Sequence, residues 1–244
     1  MQAPFHVAPL IAALALLGGC STAPSRSSGP PAAPDRTFTV PVYANEPGRA
    51  DATAKAECRR QGLHHKLLRN DGSRLVFDRD GYLFITLGEN NVRETAQDLD
   101  KLQGKVVRIR PDGQVPRDNP FVGQAGVREE IWSYGQRNPQ GAALNPWSGE
   151  LWENEHGPKG GDEINIIGRG KNYGWPYATH GINYSGQPIP EAKGKTVEGT
   201  VGPLHVWEQS PGISGMAFYD GERFKVWQHN LFIGALASGE LIRL

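Results

Sequence analysis

The chain of 244 residues is poor in several things, and each shortage closes a door. It has two cysteines, Cys20 and Cys58, which leave no room for a disulfide framework or a cysteine-built metal site. Its 26 basic and 26 acidic residues cancel, so no strong field draws it to nucleic acid. Its one long apolar run, residues 9–17, is too short to cross a bilayer as a helix. No Gly-x-Gly-x-x-Gly links a strand to a helix, and no Gly-x-Ser-x-Gly occurs. A nicotinamide or flavin enzyme and a serine hydrolase are therefore unsupported.

What the chain has in quantity is glycine (31) and proline (19). With short apolar runs between them, they predict a turn-rich all-β architecture. Arg74-Leu75-Val76-Phe77 and Tyr82-Leu83-Phe84-Ile85-Thr86-Leu87 flank Asp78-Arg79-Asp80-Gly81, whose Asp and Gly tolerate the positive φ of a tight turn. Residues 105–109 lead into Pro111-Asp112-Gly113 in the same way. Residues 142–144 and 151–153 flank a turn at 145–149, and residues 215–219 and 231–236 flank one at Asp220-Gly221. Recurring strand, Gly-turn, strand units are the texture of propeller blades, and a β-sandwich shares it.

The first residues resemble an export signal, residues 1–19. Leu17-Gly18-Gly19-Cys20 resembles a bacterial lipobox and predicts lipidation of Cys20; cleavage elsewhere as an ordinary secretory signal is the alternative, since the n-region has no Lys or Arg. The expected location is the periplasm or cell envelope, with contact to a membrane surface through a lipid anchor only. Residues 20–68 divide into a Ser-, Pro- and Ala-rich tether at 21–34 and a poorly patterned stretch after it. The patterned domain runs over 69–244.

Chemistry concentrates between Arg137 and Trp175. Glu153, Glu155, Asp162 and Glu163 are interrupted by Gly157-Pro158 and Gly160-Gly161. Carboxylates and turn carbonyls are the hard oxygen ligands of Ca²⁺, although spacing alone favours a solvated acidic loop. His156 lacks the partners of a zinc site and fits a pocket residue better than a ligand. Asn138 and Gln140 flank Pro139, where two amides can grip a planar polar ligand or simply cap a turn. Tyr173, Trp175, Tyr177, Tyr184 and Trp207 supply aromatic surface for a sugar, a planar cofactor or a core.

Residues 74–77, 87–90, 103–105, 118–121, 137–141, 155–158, 162–165 and 172–176, in that order, resemble the soluble quinoprotein sugar dehydrogenases. These are the PQQ-dependent aldose dehydrogenases of the glucose/sorbosone dehydrogenase family, and the resemblance covers residues 72–244. It implies a six-bladed β-propeller, of which about four blades are represented here. It implies PQQ and Ca²⁺ as cofactors, an aldose as substrate oxidised at C1 to the lactone, and a separate electron acceptor of unknown identity. Asn138 and Gln140 would contact PQQ. The carbonyls of Gly157 and Pro158 would bind the Ca²⁺ that also meets the quinone, and Glu163 and Tyr173 would match a second Ca²⁺. Trp207 would lie beside the cofactor and Asn90 near the sugar. Some members carry a Lys near the position of Ala237. The family's base histidine falls at Asn70, which cannot take a proton at neutral pH; Asp71, His64 and His65 are the nearby groups that could. With the family's first blades expected before Asn70 and its later arginines beyond Leu244, the resemblance predicts an incomplete propeller. A non-catalytic homologue that keeps Ca²⁺, PQQ or sugar binding is the alternative.

Overall fold

The computed structural model describes residues 74–244 throughout and, before them, only the backbone of three strands. The chain divides into two compact units, residues 1–69 and 70–244. In the first, strands β1 (Leu16–Ser21), β2 (Arg36–Val40) and β3 (His64–Leu67) form one antiparallel sheet in the order β2-β1-β3.

The second unit holds three antiparallel meanders. Strands β4 (Leu75–Phe77), β5 (Leu83–Leu87), β6 (Lys105–Ile109) and β7 (Ile131–Tyr134) make the first. Strands β8 (Pro139–Leu144), β9 (Leu151–Glu155), β10 (Asp162–Ile167) and β11 (His205–Trp207) make the second. Strands β12 (Ile213–Tyr219), β13 (Asn230–Ala235) and β14 (Glu240–Arg243) make the third. The described residues contain no α-helix, only 3-10 turns at Arg93–Ala96 and Lys225–Trp227.

Turn chemistry explains the hairpins. Asp78 Oδ1 accepts from the main-chain N–H groups of Asp80 (3.0 Å) and Tyr82 (2.8 Å), and Gly81 takes φ +82°. Asn145 Oδ1 does the same for Trp147 and Ser148. The expected tight turn at Asp220-Gly221 is instead a longer connection. There Tyr219, Phe224 and Trp227 pack ring against ring, and Tyr219 OH accepts from the Phe224 amide at 2.9 Å. In this unit, strands β7, β10, β11 and β14 were not among the sequence expectations.

The sheets pack in series. Phe84 and Val106 of the first meander bury against Leu151 and Ile167 of the second, with Tyr173 between them. Ile164 of the second meets Ile213, Leu231 and Ile233 of the third. A strand that gives one face to each neighbour must be apolar on both, which is why β10 carries Ile164 and Ile167 on opposite faces. Each such fully buried side chain contributes roughly 1.5–3 kcal/mol. A sandwich has a single interior, whereas this unit has a core at each of two successive sheet interfaces, the arrangement of blades.

Candidate active site

Strands β8 and β9 pair with Pro139 opposite Glu155, which sets Asn138 and Gln140 beside the Glu155-to-Pro158 segment. Glu155 Oε2 accepts from the main-chain N–H groups of Arg137 (2.5 Å) and Asn138 (2.9 Å), and the His156 amide donates to the Asn138 carbonyl at 3.0 Å. Arg137 Nη1 donates to the carbonyls of His156 (2.9 Å) and Gly157 (2.8 Å), while its guanidinium lies over the Trp175 ring at 5.2 Å. Two main-chain carbonyls thus converge on one positive charge. The Pro158 carbonyl accepts no hydrogen bond from the described residues. Gln140 Nε2 donates to Asn138 Oδ1 at 2.8 Å, which fixes both amides and leaves Asn138 Nδ2 and Gln140 Oε1 for a ligand.

The turn at 157–161 is held from below. Asp162 is buried, and its Oδ1 accepts from the Gly157 amide at 3.1 Å; its Oδ2 accepts from Gly212 (3.0 Å) and Ile213 (3.2 Å). A Cβ on Gly157 would lie 2.2 Å from the Gly160 carbonyl, so only glycine closes this turn. His156 Nε2 lies 2.5 Å from the Ile213 carbonyl, an acceptor, so that nitrogen carries the proton and Nδ1 is the free acceptor in the neutral ring.

Two cavities meet at this turn. One, of about 20 Å³, is lined by Arg137, Glu155, Gly157, Pro158, Glu163 and Tyr173. The other, of about 500 Å³, is lined by His156, Gly157, Pro158, Glu208, Gln209 and Ala237 among others. The first holds one water or one ion, since roughly 10–15 Å³ suffices for a water. The second lies within the roughly 300–1,000 Å³ range of small-molecule sites.

Behind the small cavity lies an acidic cluster. Glu153, Glu155 and Asp162 are buried on β9 and β10, which corrects the expectation of a solvated acidic loop: Glu163 pairs with Glu155 across the ladder. Burial, then the neighbouring Glu155 and Glu163 charges, hold the Glu153 carboxyl well above the usual range; burial, then Glu163, does the same for Glu155. Burial pushes Glu163 up to about 7 against hydrogen bonds from Asn165 and Glu155 that favour its charge. Asn165 Nδ2 bridges Glu163 Oε1 (3.1 Å) and Glu153 Oε2 (3.4 Å), while Glu153 Oε1 and Asn165 Oδ1 are buried with no partner. The carboxylates that line the small cavity are Glu155 and Glu163, with Glu153 and Asn165 one ladder step behind them, and such hard oxygens fit a divalent cation. Among the described residues no three Asp, Glu, His or Cys side chains converge as a ligand set, so main-chain carbonyls would have to complete the shell.

Glu163 and Tyr173 line the same small cavity as Gly157 and Pro158. The Tyr173 hydroxyl is already spent: it donates to the Ile166 carbonyl and accepts from the Gly168 amide (2.7 Å), and burial pushes it up to about 12. Trp207 stacks edge-on against His205 at 4.3 Å and packs on the second core, lining neither cavity at the turn. Asn90 sits at φ +58° in the loop after β5, next to Glu89, whose amide donates to the Arg137 carbonyl at 2.9 Å. Asn70 and Asp71 lie outside the described residues, as do the side chains of His64, His65 and Cys20. Sequence reasoning singled out neither Arg137 as a clamp nor Glu155 as its anchor. The available signal was that Arg137 is the only Lys or Arg between Arg128 and Lys159.

Residues 49–244 match the family model described as Glucose / Sorbosone dehydrogenase. The chain is 66% identical over 171 residues to the aldose sugar dehydrogenase YliI of Escherichia coli (strain K12), covering 70% of this chain and 46% of that protein. The soluble aldose sugar dehydrogenase (Asd) from Escherichia coli, in its apo form, superposes with a TM-score of 0.70 at 64% identity, over 72% of this chain and 50% of that one. The PQQ-bound form of the aldose sugar dehydrogenase (Adh) from Streptomyces coelicolor gives 0.56 at 31% identity, over 72% and 45%. The chain spans about half the length of these relatives.

Proposed function

The chain belongs to the glucose/sorbosone dehydrogenase family, and on that premise we propose that it serves the PQQ- and Ca²⁺-dependent oxidation of aldoses at C1 to lactones. The observation that carries this reading is the shared wall at His156, Gly157 and Pro158, with an ion-sized cavity on one side and a cofactor-sized cleft on the other. When bound, PQQ supplies the acceptor for the two electrons an aldose gives up, and Ca²⁺ supplies Lewis acidity at the quinone.

The chain's own residues have definite tasks in this reading. The Pro158 carbonyl, which accepts no hydrogen bond from the described residues, and the second lone pair of the Gly157 carbonyl, beside the one Arg137 uses, would hold the cation, with Glu163 and the acidic cluster behind them neutralising it. Arg137 presents a permanent positive charge to a polyanionic cofactor, and its buried Nε still lacks an acceptor. Asn138 and Gln140 are locked to each other, so their remaining donor and acceptor meet a ligand without further ordering cost. The His156 Nδ1 is the free acceptor at the wall and the residue to examine for the substrate hydroxyl proton, because the family's base position is Asn70.

The test is a titration of purified protein with PQQ in Ca²⁺ or in EDTA, followed by a dye-linked assay with glucose, galactose and maltose. The reading predicts Ca²⁺-dependent PQQ binding and sugar-dependent dye reduction. Asn at position 70 supports a second reading, a homologue that binds without turning over. PQQ binding with no dye reduction would select it, and Asn70→His would then restore activity if the rest of the cleft is assembled.

A further inference from the structure

Lys105 opens β6 and is completely buried, yet among the described residues no carboxylate lies within ion-pair distance of it. Its Nζ donates instead to three main-chain carbonyls: Thr95 (2.7 Å), Ala96 (3.0 Å) and Gln103 (2.8 Å). An ammonium has three donors, and here all are used. Buried charge without a carboxylate is costly and is kept where main-chain groups would otherwise go unpaired.

The held segment has one particular neighbour. The Ala96 carbonyl also accepts from the Gly135 amide (2.9 Å), the Gly104 carbonyl from the Gln136 amide (3.2 Å), and the Glu89 amide donates to the Arg137 carbonyl (2.9 Å). Two successive residues, Gly135 and Gln136, are therefore pinned to the segment that Lys105 gathers, and the next, Arg137, is held by Glu89 from the loop before that segment. The approach is tight: a Cβ on Gly104 would lie 2.7 Å from Ala96 and from the Gln136 carbonyl. Gln97, from the same segment, donates to the Trp175 carbonyl (2.6 Å) and exchanges hydrogen bonds with Asn172 (3.0 and 2.9 Å). Trp175 is the ring under Arg137.

We propose that Lys105 is a positioning residue for the cofactor cradle: its ammonium gathers the 95–104 segment, which holds Gly135 and Gln136, the residues that lead into Arg137 and Asn138 and so set where those two stand. It touches neither cavity at the turn and takes no part in the reaction. The proposal rests on the PQQ reading only for the ligand; the mechanical coupling stands apart from it. Burial lowers the Lys105 ammonium to about 8, with Asp98 and Asp100 the nearby charges that oppose the shift, and Lys101 beside them engaged by Asp100. Deprotonation leaves two donors for three carbonyls, so the segment loosens as pH rises through that range.

The test compares the wild-type chain with Lys105→Met, which keeps length and loses charge and donors. Main-chain NMR shifts of Gly135, Arg137 and Asn138 are expected to move in the variant while those of β12–β14 stay put. PQQ, titrated by tryptophan quenching in Ca²⁺, is expected to bind about tenfold more weakly, from the loss of roughly one charged hydrogen bond's worth of alignment. In the wild type the Gly135 amide shift should titrate with a midpoint near 8, and in the variant it should be flat. Unchanged shifts at 135–138 with unchanged PQQ affinity would overturn the proposal. If the variant does not fold, the wild-type titration decides: a Gly135 shift that is flat to pH 10 overturns it. If the wild type fails to bind PQQ while Gly135 titrates as stated, the cofactor reading falls and the coupling stands.

Discussion

The first and second meanders both bury charge, and they do so in opposite ways. Strand β6 buries two cations that face opposite charge, aromatic faces or carbonyls. Lys105 has all three donors met by carbonyls; Arg108 lies over Tyr82 at 3.8 Å and Trp132 at 4.9 Å and reaches Asp118 at 3.0 Å, with only its Nε lacking a hydrogen bond, 3.9 Å from Asp78. Strands β9 and β10 bury carboxyls whose needs are not met: Glu153 Oε1 has no partner, and three glutamates crowd one another. A buried ion whose hydrogen bonds are complete is part of the scaffold. A buried acidic cluster that is incomplete at Glu153 and reaches an ion-sized hollow through Glu155 and Glu163 is a candidate place for something else.

The sharpest way to break this contrast is Arg137→Ala. It removes the clamp on the His156 and Gly157 carbonyls and the cation over Trp175, and it should weaken PQQ binding about 100-fold, from roughly two charged hydrogen bonds. Equilibrium titration reads it; an affinity within threefold of wild type would mean that Arg137 only supports the turn. Next is the metal. The folded-state values of Glu153, Glu155 and Glu163 are raised, so the stability they contribute is full below the unfolded value near 4.5 and is lost as pH rises, through about 7 for Glu163. Metal-free protein should therefore melt lower at pH 8 than at pH 5.5. Ca²⁺ at about 100 times its Kd should return about 2.7 kcal/mol at pH 8 and much less at pH 5.5. Equal Ca²⁺ effects at both pH values would detach the cluster from the metal.

Gly104→Ala attacks the satisfied side. With φ at +68° and contacts of 2.7 Å, it should cost about 2 kcal/mol by denaturant titration, from backbone strain and overpacking. A neutral result would show that the 95–104 segment moves freely. The smallest effect is expected from Glu153→Gln. It keeps the shape and removes an acid that resists ionising, so metal-free stability at pH 8 should rise by about 1 kcal/mol and its pH dependence should flatten. Loss of stability at pH 8 would mean that Glu153 is charged and satisfied after all.

The hairpins were legible because their turns carry the chemistry that makes them: Asp78 and Asn145 bond the following amides, and Gly81 and Gly149 supply the positive φ. Strand β10 was hidden by its opening Asp162-Glu163, which suggests solvent, although Ile164-Asn165-Ile166 already alternates. Asp162 is inside because it caps three amides that no other group reaches. The carbonyls of the turn stood out from residue type as hard oxygen ligands, although spacing alone favoured a solvated loop, and the family resemblance tipped the reading toward a cation. Lys105 and Arg137 escaped notice because their partners are carbonyls, and a carbonyl leaves no mark in a sequence. The stretch from Asn172 to Leu204 offers no regular pattern, and it forms isolated bridges such as Lys159 with Ile182 in place of strands.

The peptide run His156 to Pro158 is a partition with a tenant's room on each side. With the cation and quinone of the proposed function in place, a displacement that one imposes on it would be felt by the other, and the two binding energies would be reciprocal: whatever factor the cation adds to the quinone's hold, the quinone would return to the cation. Order of loading then leaves the final state unchanged. A defect that empties one room should show first as a leak from the other.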